Sequence, residues 1–180
     1  MRATQLLREE HEIILRGLGV LEVLAAKAAR GDEVPAQALG TLLEFLTGFA
    51  DAHHHGKEEE ILFPALEEAG FPRDAGPVGV MLHEHAQGRE LIAALRAAAP
   101  QASGPAPARE KFANTARAYT ALLSAHIDKE NQVLFPMADR AISGDDQRRV
   151  DEGFDAFERA SAARRTLHEG AVARLARELT

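Results

Sequence analysis

The sequence contains no cysteine. Disulfides, thiolate zinc sites, cysteine-ligated iron-sulfur clusters and thiol redox chemistry are therefore excluded, and any metal must be held by nitrogen and oxygen donors. Dense basic blocks are missing too: 21 Lys and Arg stand against 28 Asp and Glu, and the formal net charge of −7 argues against a nucleic-acid partner. No uninterrupted apolar run approaches the length of a membrane span, and the N-terminal MRATQLLREEHEIIL carries charges where a secretory signal needs an apolar core. No membrane partner and a cytoplasmic location are the expectation. Strand-like β-branched runs are lacking, so the 180 residues read as one all-helical domain with a single core.

What is present is apolar spacing of helical period along almost the whole chain. It predicts helices over about residues 4–30, 35–69, 78–99, 109–141 and 147–179, separated by RGDEVP, GFPRDAGP, PQASGPAP and SGDD. Pro64 is expected to kink the second helix or end its first part. Four long helices with modest connections predict an antiparallel up-down-up-down four-helix bundle over residues 1–141. Residues 142–180 then supply an additional C-terminal helix packed on its outside, within the same domain.

The segment DAHHHGKEEEILFPAL (residues 51–66) crowds histidines and glutamates against Ile61, Leu62 and Phe63. Burying unpaired charge is expensive, so some of these groups must be neutralised and others must face water. An internal repeat sorts them. HHGKEEEILFP from His54 matches HIDKENQVLFP from His126, pairing His54 with His126, Lys57 with Lys129, Glu58 with Glu130 and the Leu-Phe-Pro endings. Upstream, EEHEIIL around His11 pairs with HEHAQGREL around His85 at nearly the same offset. Residues four apart lie about 40° and roughly 6 Å apart on one helix face, so His54 with Glu58 and His126 with Glu130 can each grip one object. His11, His54, His85 and His126 all take places that the pattern otherwise gives to apolar residues, including Leu7 and Ile14, Ala50 and Leu62, Met81 and Ile92, and Leu123 and Val133. Four such histidines with two glutamates in phase point to a buried metal. Lys57 and Glu60 are expected to face water.

The ordered pattern His11, His54-x-x-x-Glu58, His85, His126-x-x-x-Glu130, with both Leu-Phe-Pro tails, resembles the hemerythrin-like (HHE cation-binding) domain. The resemblance implies a four-helix bundle holding two iron ions, bridged by two carboxylates and a solvent-derived oxygen. His11, His54, His85 and His126 would be terminal ligands, with Glu58 and Glu130 as the bridges. Zinc or manganese fits less well. Oxygen carriers of the family have His-x-x-x-His on the third helix, where this chain has His85 and Arg89.

Around these six stand residues with weaker cases. His53 and His55 are each turned about 100° from His54, so at least one is expected in solvent or behind the ligands. His55 with Glu59 repeats the four-residue spacing and is the rival register. His83 points away from His85, and Tyr119 shares the His126 face and can reach the metal or its bridge. Glu10, Asp51 and Asp128 read first as surface charges and second as partners behind the ligands. If His55, His83 and Tyr119 stay off the metal, each iron keeps one open position. This favours a protein that reacts with oxygen, peroxide or nitric oxide, in redox or nitrosative defence or in sensing. An iron store or an oxygen or iron sensor without turnover, and a reversible oxygen carrier, are the alternatives.

Overall fold

The computed structural model describes residues 1–179, and its described residues form five long helices with no strand. Helix α1 is Arg2–Arg30 and α2 covers residues 36–68. Helix α3 is Gly76–Ala98 with a 3₁₀ turn at Ala99–Gln101, α4 covers residues 106–141, and α5 is Gly144–Leu179. These bounds lie within a few residues of the helical period in the sequence. Helix α1 stops where Gly31 adopts φ 84°, letting the Gly31 and Asp32 amides donate to the carbonyls of Ala28 (3.1 Å) and Lys27 (2.9 Å). Prolines in the first turns of α3 and α4 occupy places where no intrahelical donor is needed.

Helices α2 and α4 are not uniformly α. In α2, Ala36–Phe45 is α, Leu46–His55 and Glu58–Leu62 are wound as π-helix, and Phe63–Glu68 is α again. In α4, Ala106–Lys129 is followed by a π turn at Glu130–Leu134 and by Phe135–Ala141. The Phe63 amide donates to the Glu58 carbonyl and the Phe135 amide to the Glu130 carbonyl, each five residues back. Both bonds come immediately before a proline. The wider turn makes room for a ring that would otherwise crowd the carbonyl four residues earlier, so α2 runs on through Pro64 instead of ending there. It also changes which side chains share a face. Val133, which uniform α spacing places with the apolar residues around His126, is 54% exposed.

Helix α1 packs on α2, α2 on α3, α3 on α4, and α4 back on α1, while α5 lies against α1 and α2. Two apolar clusters fill the interior. One includes Ile14, Leu18, Phe49, Ile92, Leu95, Phe112 and Leu123; the other includes Leu7, Leu62, Phe63, Met81, Leu134, Phe135 and Phe154. Helix α5 enters both, through Val172 and Leu175 in the first and Val150 and Phe154 in the second. Close approach of α1 to α2 depends on Gly17, where a Cβ would overlap the Phe45 ring. Between the two clusters lies a layer of histidine and glutamate. No helix among the described residues is long and apolar enough to cross a membrane.

Candidate metal centre

The layer forms because each helix carries its polar residue between two apolar contacts on the inward face. His11 follows Leu7 and precedes Ile14, His85 lies between Met81 and Ile92, and the π turns begin at Glu58 and Glu130 themselves. His11, His54, Glu58, His85, His126 and Glu130 are all buried and converge. His11 Nε2 lies 3.1 Å from Glu130 Oε2, His126 Nε2 3.3 Å from Glu130 Oε1, His85 Nε2 3.5 Å from Glu58 Oε2 and His54 Nε2 3.7 Å from Glu58 Oε1. Ligand-type atoms fall into two groups sharing Glu58: His11, His54, Glu58 and Glu130, and His55, Glu58, His85 and His126. In each group all the atoms lie within 4.8 Å of one another.

His55 is the member that α-helical spacing sets aside. The π winding of Leu46–His55 advances each residue by less than the roughly 100° of an α-helix, so His54 and His55 both turn inward. The His55 ring stacks on His85 with centroids 3.8 Å apart. His53 is buried as well, but bonds to Glu10 and Lys57 on the far side from the centre. His83 is exposed and Glu60 faces water, as their places on the helices imply.

Every inward histidine is held from behind. His11 Nδ1 donates to Asn131 Oδ1 (3.0 Å), His54 Nδ1 to Glu10 Oε2 (2.9 Å), His85 Nδ1 to Glu59 Oε1 (2.7 Å) and His126 Nδ1 to Glu84 Oε2 (2.9 Å). His55 Nδ1 faces Asp51 Oδ1 at 3.4 Å. An acceptor at Nδ1 fixes the proton there and leaves the Nε2 lone pair aimed inward. The inward atoms have little else to meet. His11, His54 and His55 Nε2 and all four carboxylate oxygens of Glu58 and Glu130 are buried without a hydrogen bond. His85 and His126 Nε2 lie 3.1 Å apart, an approach that two lone pairs make only with a proton or cation between them. Orphaned acceptors on this scale fit a cation.

The electrostatics are mixed: burial acts to lower His126, but the Glu130 and Glu84 carboxylates outweigh it and raise that imidazole. Burial, then the adjacent Glu130 carboxylate, push the Glu58 carboxyl well above the usual range. Burial also acts on Glu130, but His126 and His11 outweigh it and hold that carboxyl low. Burial lowers His54 to about 4 and, with His85 beside it, holds His55 well below the ordinary imidazole value, so both rings are neutral as ligands require.

Two expected surface groups are interior ones. Glu10 and Lys57 are both 0% exposed. Lys57 Nζ bonds Glu10 Oε1, Glu158 Oε1 of α5 and His53 Nε2 (3.2 Å), and lies over the Phe154 ring at 5.7 Å. Glu10, His53 and Glu158 alone have metal-like spacing, but the lysine amine already fills that place. Arg89 binds Asp51 Oδ1 (2.8 Å) and Glu59 Oε1 (2.7 Å), the carboxylates behind His55 and His85. The Tyr119 ring is buried in the wall of a cavity of about 220 Å³ that also reaches His55, His85 and His126.

Residues 2–138 match the family described as hemerythrin HHE cation binding domain. This chain belongs to that family. Among relatives of the hemerythrin-like chain, an uncharacterized protein of Mycobacterium tuberculosis is 29% identical over 150 residues, covering 83% of this chain and 58% of its own length. The iron-sulfur cluster repair protein YtfE of Cronobacter sakazakii is 33% identical over 140 residues, and that of Enterobacter sp. 32% over 139. Each of these two matches covers 74% of this chain and 58% of the relative, so the chain spans little more than half the length of the curated relatives it matches. No solved structure matched it.

Proposed function

We propose that this hemerythrin-like chain is a non-haem di-iron protein that reacts with a small oxidant or diatomic: oxygen, peroxide or nitric oxide. The observation that carries the reading is the set of inward imidazole and carboxylate atoms with no hydrogen-bond partner, each imidazole held by an acceptor at its back. In this reading residues 1–141 act as an antiparallel up-down-up-down bundle and α5 packs on it within one domain. His11, His54, Glu58 and Glu130 would hold one ion, and His55, Glu58, His85 and His126 the other. The nitrogen-rich donor set suits iron better than magnesium or calcium. When bound, an iron pair supplies two adjacent redox centres that exchange electrons with the ligand.

The protein's own contribution is to hold donors oriented and dry on one side and to leave a way in on the other. His11 stacks on Phe135 at 5.4 Å, closing its side with apolar surface. The His55, His85 and His126 side opens on the cavity. With His55 as a donor, one of the positions that the four-histidine count leaves open would be taken, and an exogenous ligand would have one place to bind instead of two. That single position makes a reversible oxygen carrier the second reading. Reaction is favoured over carriage because Arg89, Asp51 and Glu84 line the cavity with charge, whereas a carrier needs a site from which water is excluded. The likeness to proteins called iron-sulfur cluster repair protein supports a place in defence against oxidative or nitrosative damage.

The test begins with metal analysis of the protein from its native host, followed by stopped-flow spectra on mixing the reduced form with oxygen. Rapid, irreversible oxidation is expected. A coloured adduct that disappears on deoxygenation would establish the carrier instead, and a colourless zinc protein would end both readings.

A further inference from the structure

The cavity beside His55, His85 and His126 is far larger than one water or one diatomic needs. Its lining is mixed. It includes the imidazoles, the apolar Ile92 of α3 and Leu122 and Leu123 of α4, and the carboxylates Asp51 and Glu84; along α3, His85 and Arg96 stand about three turns apart. Two guanidinium groups, Arg89 and Arg96, lie two turns apart on α3 and border this space. Arg89 is neutralised by Asp51 and Glu59. Arg96 has no carboxylate partner among the described residues. Its Nη2 donates to the Leu43 carbonyl (3.3 Å) and to Thr47 Oγ1 (2.9 Å), both on α2, which fixes the positive head over the cavity from across the helix interface. Arg96 is exposed, yet it is tethered to α2 and lacks a carboxylate in a chain of formal charge −7, so it can receive an anion.

We propose that this cavity binds a short organic carboxylate, its head on Arg96, its apolar stem between Ile92 and Leu123, and its far end against the histidines. The proposal rests on the di-iron reading for what that far end meets, but not for binding itself. It deepens that reading by naming an amphipathic organic acid, and not only a diatomic, as the molecule admitted to the site. A neutral apolar ligand leaves Arg96 unused, and a small inorganic anion leaves the apolar walls unused. A molecule with both parts uses Arg96 and the apolar walls together, while Asp51 is neutralised by Arg89 and Glu84 by Lys129.

Hexanoate is the probe, titrated calorimetrically into the protein as purified and again after iron removal. Tyr119 is the only tyrosine and there is no tryptophan, so the near-ultraviolet circular dichroism reports the cavity wall directly. Saturable heat with a matching change in the Tyr119 band is expected in both forms. Acetate, lacking the stem, and hexanamide, lacking the charge, should each bind about tenfold more weakly or worse. Arg96→Gln should weaken hexanoate by about tenfold while leaving metal content unchanged. The proposal is overturned if no saturable binding occurs, if hexanamide or Arg96→Gln matches the reference, or if binding vanishes with the metal. In that last case the carboxylate is simply a metal ligand, and the di-iron reading survives alone. Binding that needs Arg96 in protein that carries no iron as purified from its native host would support the cavity assignment and defeat the di-iron one.

Discussion

In the first half of the repeat, α1 and α2, Lys57 is 0% exposed; in the second, α3 and α4, its counterpart Lys129 is 42% exposed. The wiring around them is otherwise the same. Glu10, one residue before His11, takes His54 Nδ1 and Lys57, and Glu84, one residue before His85, takes His126 Nδ1 and Lys129. Glu59, after Glu58, holds His85, and Asn131, after Glu130, holds His11. Each half therefore orients a histidine of the other. What separates them is α5, which covers the first half through Glu158, Phe154 and Phe157, and the cavity, which opens the second. A symmetric ligand frame has been given one closed side and one accessible side.

The largest effects should ignore that difference. In the proposed centre Glu58 and Glu130 would each be a carboxylate shared by both ions, so metal analysis of Glu58→Ala and of Glu130→Ala should show a fall from about two ions per chain to one or none. Loss in one variant only would mean that the halves are not equivalent at the ligands. The lysines should then divide the halves. Lys57→Met strands Glu10 in the interior without its cation and is expected to cost about 3 kcal/mol in urea unfolding. Lys129→Met, at a half-exposed site, should cost less than about 1 kcal/mol. Equal losses would remove the distinction drawn from burial.

Acid should report the closed side as well. Burial pushes the Glu158 carboxyl up, but bonds from His53, Lys57 and Arg165 outweigh it and hold it at about 2, below the ordinary glutamate value of 4.5. A carboxyl depressed in the folded state stabilises fully above about pH 4.5 and loses that contribution as pH falls towards 2. The stability difference between metal-free wild type and Glu158→Gln should therefore shrink over that window. A difference that stays constant would show that the contacts of α5 do not depend on this charge.

How much of this was legible follows from which residues act within one helix. The convergence of His54 with Glu58 and of His126 with Glu130 is readable because four-residue spacing and the repeat both mark it, and the helices emerge from apolar period alone. His55 is not readable, since a uniform α-helix turns it away and only the π winding of Leu46–His55 brings it in. Glu10 and Lys57 look like surface charges because their partners lie on other helices, including α5, which has no counterpart in the repeat. One signal was there to be used. Lys57 and Lys129 recur beside the ligands, and a charge retained in both copies of a repeat has a partner in each.

Copying the second half into the first sharpens the comparison. The residue matching His55 in the repeat is the buried Ile127, so His55→Ile gives both ions two imidazoles. The ion at His85 and His126 should bind about tenfold more weakly and gain an open position, while the ion at His11 and His54 is unchanged. Chelator competition should turn from one phase into two. A single unchanged phase would place His55 outside the ligand set and restore two open positions.

The smallest expected effect lies one layer further out, at Arg89, which is 43% exposed and corresponds to Leu15 in the first half. Arg89 gives Asp51 and Glu59 a shared cation, and those carboxylates orient His55 and His85, so it touches no ion yet sets two rings that would. Arg89→Leu should loosen both rings together. Partial exposure limits the electrostatic loss, so metal affinity on the cavity side should fall by about tenfold, the low end for groups behind a ligand. Arg89→Lys should recover only part of this, because an ammonium cannot span two carboxylates as a guanidinium fork does. Chelator competition separates this role from general destabilisation: a positioning role weakens the His55, His85 and His126 side alone, whereas a structural one weakens both ions equally. Equal loss at both ions, or full recovery with lysine, would reduce Arg89 to an ordinary surface ion pair.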